Sequence, residues 1–139
     1  MSKHCNGGAL LALGMTFAST KNKEILDFII EQYKNPSINS NEAIIHGACL
    51  GIGICGMGSQ DNDLYEDMKN VLCTDQAVTG EAAALALGLI MAGSGNDSAI
   101  SDLVEYGQET QHEKIIRSLG LAIAMINYGK EEGADGLIE

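Results

Sequence analysis

The chain has 139 residues and a formal net charge of −11 with only eight lysines and arginines, and it has no basic run to gather phosphates, which argues against nucleic-acid binding. Aromatic residues make up 4%, tryptophan is absent and 17 residues are glycine, so a core has to be built from small and aliphatic side chains packed closely. The longest apolar run, residues 82–92, is well short of the ~20 residues of a spanning helix, and the start lacks an apolar signal core, so the chain reads as soluble and not secreted, about one domain in size.

Residues 7–18 are expected to form a first helix, residues 19–22 a turn, and residues 24–33 an amphipathic partner with Ile25, Phe28, Ile29 and Tyr33 on one side. The one proline, Pro36, lies in a polar stretch, 34–40, that cannot easily stay helical. A second unit opens near Asn39 or Ser40, with Glu42 three residues after Asn39 as a cap partner. It continues as a helix over 42–57, a turn over 58–62 and a partner over 63–73 with Leu64, Met68, Val71 and Leu72 inward. A link over 74–79 leads into the run Glu81-Ala-Ala-Ala-Leu-Ala-Leu-Gly88, then a turn at 93–97 and a helix over 98–109 with Ile100, Leu103 and Val104 on its inner side. Thr110 and Glu113 have the spacing of a capping box and are expected to start a fourth unit, whose first helix ends near Tyr128 and Gly129. Residues 131–139 would only begin a partner helix, weakened by Gly133 and Gly136.

The first helices of these units are copies of one another. Taking Gly88 as the anchor, its counterparts Gly14, Gly53 and Ala124 fall at intervals of 39, 35 and 36 residues, the period range of helical-hairpin repeats. Three before the anchor stand Leu11, Leu50, Leu85 and Leu121, and one after it Met15, Ile54, Leu89 and Met125. Six before it stand Gly8, Gly47, Ala82 and Ser118, and two before it Ala12, Gly51, Ala86 and Ala122. Positions four apart stack along one side of a helix, giving one bulky and one small column. With Leu13, Ile52, Leu87 and Ile123 on a further side, no polar face is left, and a helix apolar all round is expected to be buried all round.

Glycine inside a helix costs roughly 1 kcal/mol relative to alanine, so its recurrence needs a compensating gain, which close approach of neighbouring backbones would supply. The expected fold is therefore all-α, an α-solenoid of about three and a half helical hairpins, forming a single array over 1–139 with units near 7–38, 39–74, 75–109 and 110–139. The helix-packing residues are expected to be Gly8, Gly14, Gly47, Gly51, Gly53, Ala82, Ala86, Gly88, Ala122 and Ala124. Solenoid ends normally need polar capping units, and neither end shows one, so the chain reads as a piece of a longer array whose isolated form hides its ends in a homo-oligomer.

Catalytic and ligand chemistry finds little support. Gly51-Ile52-Gly53-Ile54-Cys55-Gly56 spells the dinucleotide pattern G-x-G-x-x-G, but no strand precedes it and its glycines are the repeat columns. His46 with Cys49, and His4 with Cys5, lack the four closely spaced ligands of a zinc site. His112 with Glu113 has no nucleophile near it, and Glu81 is explained as a first-turn acid favoured by the helix dipole. Cys5, Cys49, Cys55 and Cys73 have no framework spacing and read as reduced thiols. No catalytic, cofactor-binding or metal-binding residue is assigned, and no cofactor.

In Asp75-Gln-Ala-Val-Thr-Gly-Glu-Ala-Ala83, Leu85-Ala-Leu-Gly-Leu89 and Gln108-Glu-Thr-Gln-His-Glu-Lys-Ile115, with Arg117, Leu119, Ala134, Asp135 and 137–139, the chain resembles the proteasome/cyclosome (PC) repeats. Helix packing does not demand Glu109 to Lys114, which makes the likeness strong in the third and fourth units. It departs at Ala18-Ser19-Thr20, where a Gly-Ser turn is usual. The resemblance implies paired helices with the small-residue helices forming an inner ring and the amphipathic ones an outer ring of a toroid. It also implies a non-enzymatic scaffold of the proteasome regulatory particle that joins the ATPase base to lid subunits and ubiquitin receptors, in cytoplasm and nucleus. The alternatives are a PC-repeat scaffold of the anaphase-promoting complex or another α-solenoid interaction module, and, in a different class, a small enzyme or ligand-binding protein using the glycine-rich segments.

Overall fold

A computed structural model describes residues 2–35 and 41–131. Among these the chain forms seven helices and no strand: α1 Lys3–Thr16, α2 Lys23–Lys34, α3 Glu42–Cys55, α4 Asn62–Leu72, α5 Ala77–Ile90, α6 Asp97–Glu109 and α7 Glu113–Ile126. Helices α1, α3, α5 and α7 pack side by side in one layer, and α2, α4 and α6 form a second. Each outer helix rests mainly on the inner helix of the following hairpin: α2 on α3, α4 on α5 and α6 on α7. The result is an all-α solenoid of helical hairpins.

Local chemistry sets most of the helix starts. A side-chain oxygen accepts a hydrogen bond from a first-turn amide at five of the seven helices, from Ser2, Asn22, Asn41, Asp61 and Asn96, the usual capping residues. Ser2 explains why α1 begins at Lys3, four residues before its expected start: its Oγ accepts from Cys5 N at 3.3 Å. Asn41, whose Oδ1 accepts from Ala43 N at 3.1 Å, caps α3. The expected cap residues Asn39 and Ser40 lie outside the described residues, as do Pro36 and residues 132–139. The capping box expected at Thr110 and Glu113 is not formed. Thr110 instead closes α6, its amide donating to Tyr106 O at 3.0 Å, and α7 starts at Glu113 after His112.

The amphipathic helices each bury one side, with Leu26, Ile29 and Tyr33 of α2, Leu64, Met68 and Leu72 of α4, and Ile100 and Leu103 of α6 in the core; Phe28 and Val104, expected inward, are exposed, and on α2 the buried stripe is turned so that Leu26 takes the inner place and Ile25 is half-buried. In the inner layer, burial depends on place. Helices α3 and α5 have neighbours on both sides and bury small and large residues alike, Ala48, Ile52, Ala82, Ala83, Ala86 and Leu87 all being inaccessible. Helices α1 and α7 each have one open flank, so apolar composition all round does not bury them all round.

Candidate functional site

The inner layer is built by one contact rule used three times. Gly14 faces Gly51, Gly53 faces Ala86, and Gly88 faces Ala122, so the anchor of each hairpin meets the residue two before the anchor of the next. A Cβ on Gly53 would lie 2.7 Å from Ala86 Cα, and one on Gly51 would lie 2.6 Å from the carbonyl oxygen of Leu10. Backbone stands against backbone there, with no flexible side chain to yield. Nesting at this distance forfeits a side chain at the anchor and gains close dispersion contact along the whole helix pair.

Two backbone hydrogen bonds at each junction continue the rule. The amides five and seven residues after each anchor donate to the carbonyls one and two residues after the next anchor: Ser19 to Ile54 and Lys21 to Cys55, both at 2.9 Å. Gly58 donates to Leu89 at 2.9 Å and Gln60 to Ile90 at 3.0 Å, then Gly93 to Met125 and Gly95 to Ile126, both at 2.9 Å. All six donors have positive φ, between 49° and 71°. A left-handed backbone aims two amides away from their own helix, and glycine adopts it without strain. In the first turn Ser19 and Lys21 hold that conformation in place of glycine, Ser19 Oγ donating to Met57 O at 3.0 Å and Lys21 Nζ lying 2.6 Å from Asp61 Oδ2.

Side chains tie the hairpins together from outside. Lys34 pairs with Asp67 at 2.7 Å and Lys69 with Asp102 at 2.5 Å, linking α2 to α4 and α4 to α6. Asp75, in the connection between α4 and α5, receives the Thr110 hydroxyl at 2.7 Å. Tyr106 Oη lies 3.0 Å from Asp75 Oδ1 and 2.8 Å from Leu72 O, its single proton shared between two acceptors. These hydroxyls, Thr110 first and Tyr106 second, hold the Asp75 carboxyl below the usual carboxylate range. The same residue sits at φ 51°.

Of the residues expected to pack helices together, Gly14, Gly47, Gly51, Gly53, Ala82, Ala86, Gly88 and Ala122 are buried, and the glycines and alanines named above as facing pairs are brought into apposition. Gly8 and Ala124 lie elsewhere. Both are exposed, and a Cβ on Gly8 would meet nothing within 4 Å, because Gly8 is on the open flank of α1 and Ala124 on that of α7. The close partner of Gly47 is Gly7, one residue earlier. Gly80, against Ile115 Cδ1 at 2.5 Å, also escapes the column alignment. The bulky columns take a different place from the small ones: Leu11, Leu50 and Leu85 are half-buried and Leu121 is exposed, as are Ile54 and Leu89 half-buried and Met15 exposed. The small column faces the neighbouring helix, and beside it Leu89 and Met125 reach over the anchors of the preceding hairpin, Leu89 Cδ1 lying 3.3 Å from a Cβ placed on Gly53 and Met125 Cε 2.9 Å from one on Gly88.

Among the described residues reactive groups do not converge. Cys49 and Cys55 are buried free thiols, and burial pushes the Cys49 thiol up to about 12. Cys5 and Cys73 are exposed and free. Among the described residues no three of His, Cys, Asp and Glu gather as a metal site would, and no helix is long and apolar enough to cross a membrane. The segment Gly51 to Gly56 lies inside and at the end of α3, with its glycines against α1, α4 and α5, which leaves no room for a phosphate at that place.

Hairpins stacked by a fixed register of small residues and backbone hydrogen bonds define an α-solenoid whose repeated unit is about 36 residues. A family model of the proteasome/cyclosome repeat matches residues 47–81 and 82–116, together half of the sequence, and the chain belongs to that family. The chain is 49% identical over 138 residues to the 26S proteasome non-ATPase regulatory subunit 1 homolog B of Arabidopsis thaliana, and 47% identical over 137 residues to the 26S proteasome non-ATPase regulatory subunit 1 of Drosophila melanogaster. It is 43% identical over 138 residues to the 26S proteasome regulatory subunit rpn2 of Schizosaccharomyces pombe. Each match covers 99% of this chain and 13–14% of the relative, so the chain spans about one seventh of the length of the curated relatives it matches.

Proposed function

We propose that the chain is a rigid, non-catalytic scaffold segment of the proteasome regulatory particle, serving protein–protein assembly in ubiquitin-dependent protein degradation. The observation that carries this reading is identity of 43–49% along 99% of the chain to subunits whose names place them in the 26S proteasome. The architecture supports it: the interior is filled by apposed glycine and alanine backbones, and no deep polar pocket with converging ionisable groups interrupts the described layers. Such a body presents surfaces held at fixed spacing, which suits assembly. On this reading the chain is a single array with units 7–38, 39–74, 75–109 and 110–139. The partners are the ATPase base, lid subunits and ubiquitin receptors, in cytoplasm and nucleus, and no cofactor takes part. The test is affinity capture from cell extract with a tag on this chain, read by mass spectrometry and cross-linking. Enrichment of proteasomal ATPases and lid subunits, cross-linked to the outer helices, is expected. Recovery of cyclosome components instead, or of neither set, would overturn the proposal.

A further inference from the structure

Among the described residues, one buried side-chain polar atom finds no hydrogen-bond partner, the hydroxyl of Tyr65. Tyr65 is only 6% exposed, and it lines a cavity of about 180 Å³ between α4 and α6. A buried hydroxyl left unpaired costs free energy that an incoming hydrogen bond would recover. The cavity is a groove in the surface of the outer layer, walled by two consecutive hairpins and not by an end of the array.

The rest of the wall sets the chemistry of an occupant. Leu72 and Leu103, each 1% exposed, give the groove an apolar base. Asp102, Glu105 and Glu109 follow one another at intervals of three and four along α6, so they share one side of that helix, with Tyr106 among them. Lys69 of α4 neutralises Asp102, whereas Glu105 and Glu109 are exposed and form no ion pair among the described residues. Cys73 and Glu109 stand at the C-terminal ends of α4 and α6, where the helix dipoles add partial negative charge. The groove is thus negative beyond what Lys69 balances. Its volume is below the roughly 300–1,000 Å³ of a small-molecule site, which suits one side chain better than a whole ligand.

We infer that the groove between α4 and α6 receives an arginine side chain of a partner protein, the guanidinium donating to Tyr65 Oη and to the Glu105 carboxylate. The stem runs over Leu72, Leu103 and the Tyr106 ring, and Glu109 and the two helix ends hold the cation by their field. A guanidinium presents several N–H donors in one plane, which lets it bridge a phenolic oxygen and a carboxylate, and it is less strongly hydrated than the compact ammonium of lysine. That the occupant comes from another protein rests on the assembly reading above; the preference for a guanidinium is a property of the groove itself.

The test is a titration of the isotope-labelled chain with arginine blocked at both ends, acetyl-arginine methylamide, followed by amide chemical shifts. Shifts should saturate and cluster at Tyr65, Lys69, Cys73, Glu105 and Glu109. Blocked citrulline, the neutral isostere, should bind about fivefold more weakly or less tightly still, as the loss of charge-assisted hydrogen bonds requires. Tyr65→Phe keeps the ring and removes only the hydroxyl, and Glu105→Gln changes an exposed side chain, so both variants should melt as folded proteins. Each should weaken blocked arginine about threefold or more and leave the binding of blocked citrulline nearly unchanged in Glu105→Gln. Shifts that do not saturate, that fall outside the groove, or that citrulline reproduces at equal concentration overturn the inference, as does unchanged affinity in both variants. Such a failure leaves the affinity-capture test of the assembly reading untouched, because that test reads the partners of the whole chain and not this groove.

Discussion

Gly88 and Ala122 hold α5 and α7 at backbone contact: a Cβ on Gly88 would lie 2.5 Å from the Cα of Ala122 and 2.8 Å from its Cβ. Neither atom belongs to a side chain that can swing away, so Gly88→Leu must separate the two helices and stretch the hydrogen bonds from Gly93 to Met125 and from Gly95 to Ile126. Overpacking of this kind typically costs about 1–3 kcal/mol, or more where the backbone itself has to move. Gly107→Ala is the matched control. It lies within α6, and its Cβ would meet only Leu119 Cδ1 at 3.5 Å, an ordinary contact. It should raise stability by about 0.5–1 kcal/mol through the helix preference of alanine. Thermal melts of the two variants should therefore move in opposite directions, and a Gly88→Leu chain that melts at the wild-type temperature would show that the anchor does not set the helix spacing.

This pair also shows what the residues alone disclose. The anchor and its partner are legible because both are small, recur at one period and lie among leucines and isoleucines rather than turn formers. Which helix the small column faces is not legible, since Gly8 and Gly14 look equivalent in sequence and differ only in that α3 covers one and not the other. Thr110 misleads for a related reason. Its spacing to Glu113 fits a local cap, but its hydroxyl finds Asp75, 35 residues away, and the tertiary partner prevails. Left-handed residues at Ser19, Lys21 and Gln60 are invisible to a turn reading based on glycine, although Gly58, Gly93, Gly95 and Gly129 announce the matching places.

The four cysteines should separate into two classes. Cys5 and Cys73 are exposed, whereas Cys49 and Cys55 have no accessible surface. A thiol reagent applied to the folded chain should modify two groups rapidly and the other two only on unfolding, with mass spectrometry assigning the slow pair to α3. Rapid labelling of Cys49 or Cys55 would mean that α3 opens at its junctions with α1 and α5.

Burial of Cys49 also fixes a direction with pH. Its thiol ionises at about 12 in the fold against an ordinary 9.0, so between these values the unfolded chain holds fewer protons than the folded one. Stability is then full below about pH 9 and declines as pH rises toward 12, with a slope of up to about 1.4 kcal/mol per pH unit for one such group. Burial raises the Tyr33 and Tyr65 hydroxyls as well, so the total alkaline loss has several sources. Cys49→Ala isolates one of them: denaturant unfolding across this range should show a shallower decline in the variant. Parallel declines in the two proteins would mean that the folded state lets water reach Cys49.

Asp61 joins two units through two kinds of contact. Its carboxylate accepts the Asp63 and Leu64 amides at 3.0 and 3.1 Å, capping α4, and receives Lys21 from the first turn at 2.6 Å. Lys21 chiefly, then the Leu64 amide, hold its carboxyl below the ordinary range. The stability it contributes is present above the unfolded carboxylate value of about 3.9 and disappears as pH falls through the lower folded value. Asp61→Ala should cost about 1 kcal/mol as a lost cap, the exposed ion pair adding little. Asp61→Asn keeps the cap and removes only the charge, so it should recover most of that loss. Equal melting of the Ala and Asn variants would assign the contribution to the ion pair.

Asp75 offers the strictest test that distant turns cooperate in this fold. It reaches from the α4–α5 connection to the end of α6, where Thr110 and Tyr106 both depend on it, and its left-handed backbone suits aspartate or asparagine better than alanine. Asp75→Ala removes the acceptor for a buried hydroxyl and strains the turn; Asp75→Asn keeps an oxygen in the same place and tolerates the same φ. Melting temperature should therefore fall in the order wild type, Asn, Ala. Because the folded carboxyl is held below its ordinary range, the wild-type advantage over Asn should be present at neutral pH and vanish on acidification through that folded value. Thr110→Val should lower stability alone yet add little on top of Asp75→Ala, since the first change has already broken the contact that the second removes. Additive losses in that double-variant cycle would mean that the two side chains act separately and that the connection between α4 and α5 does not fasten α6.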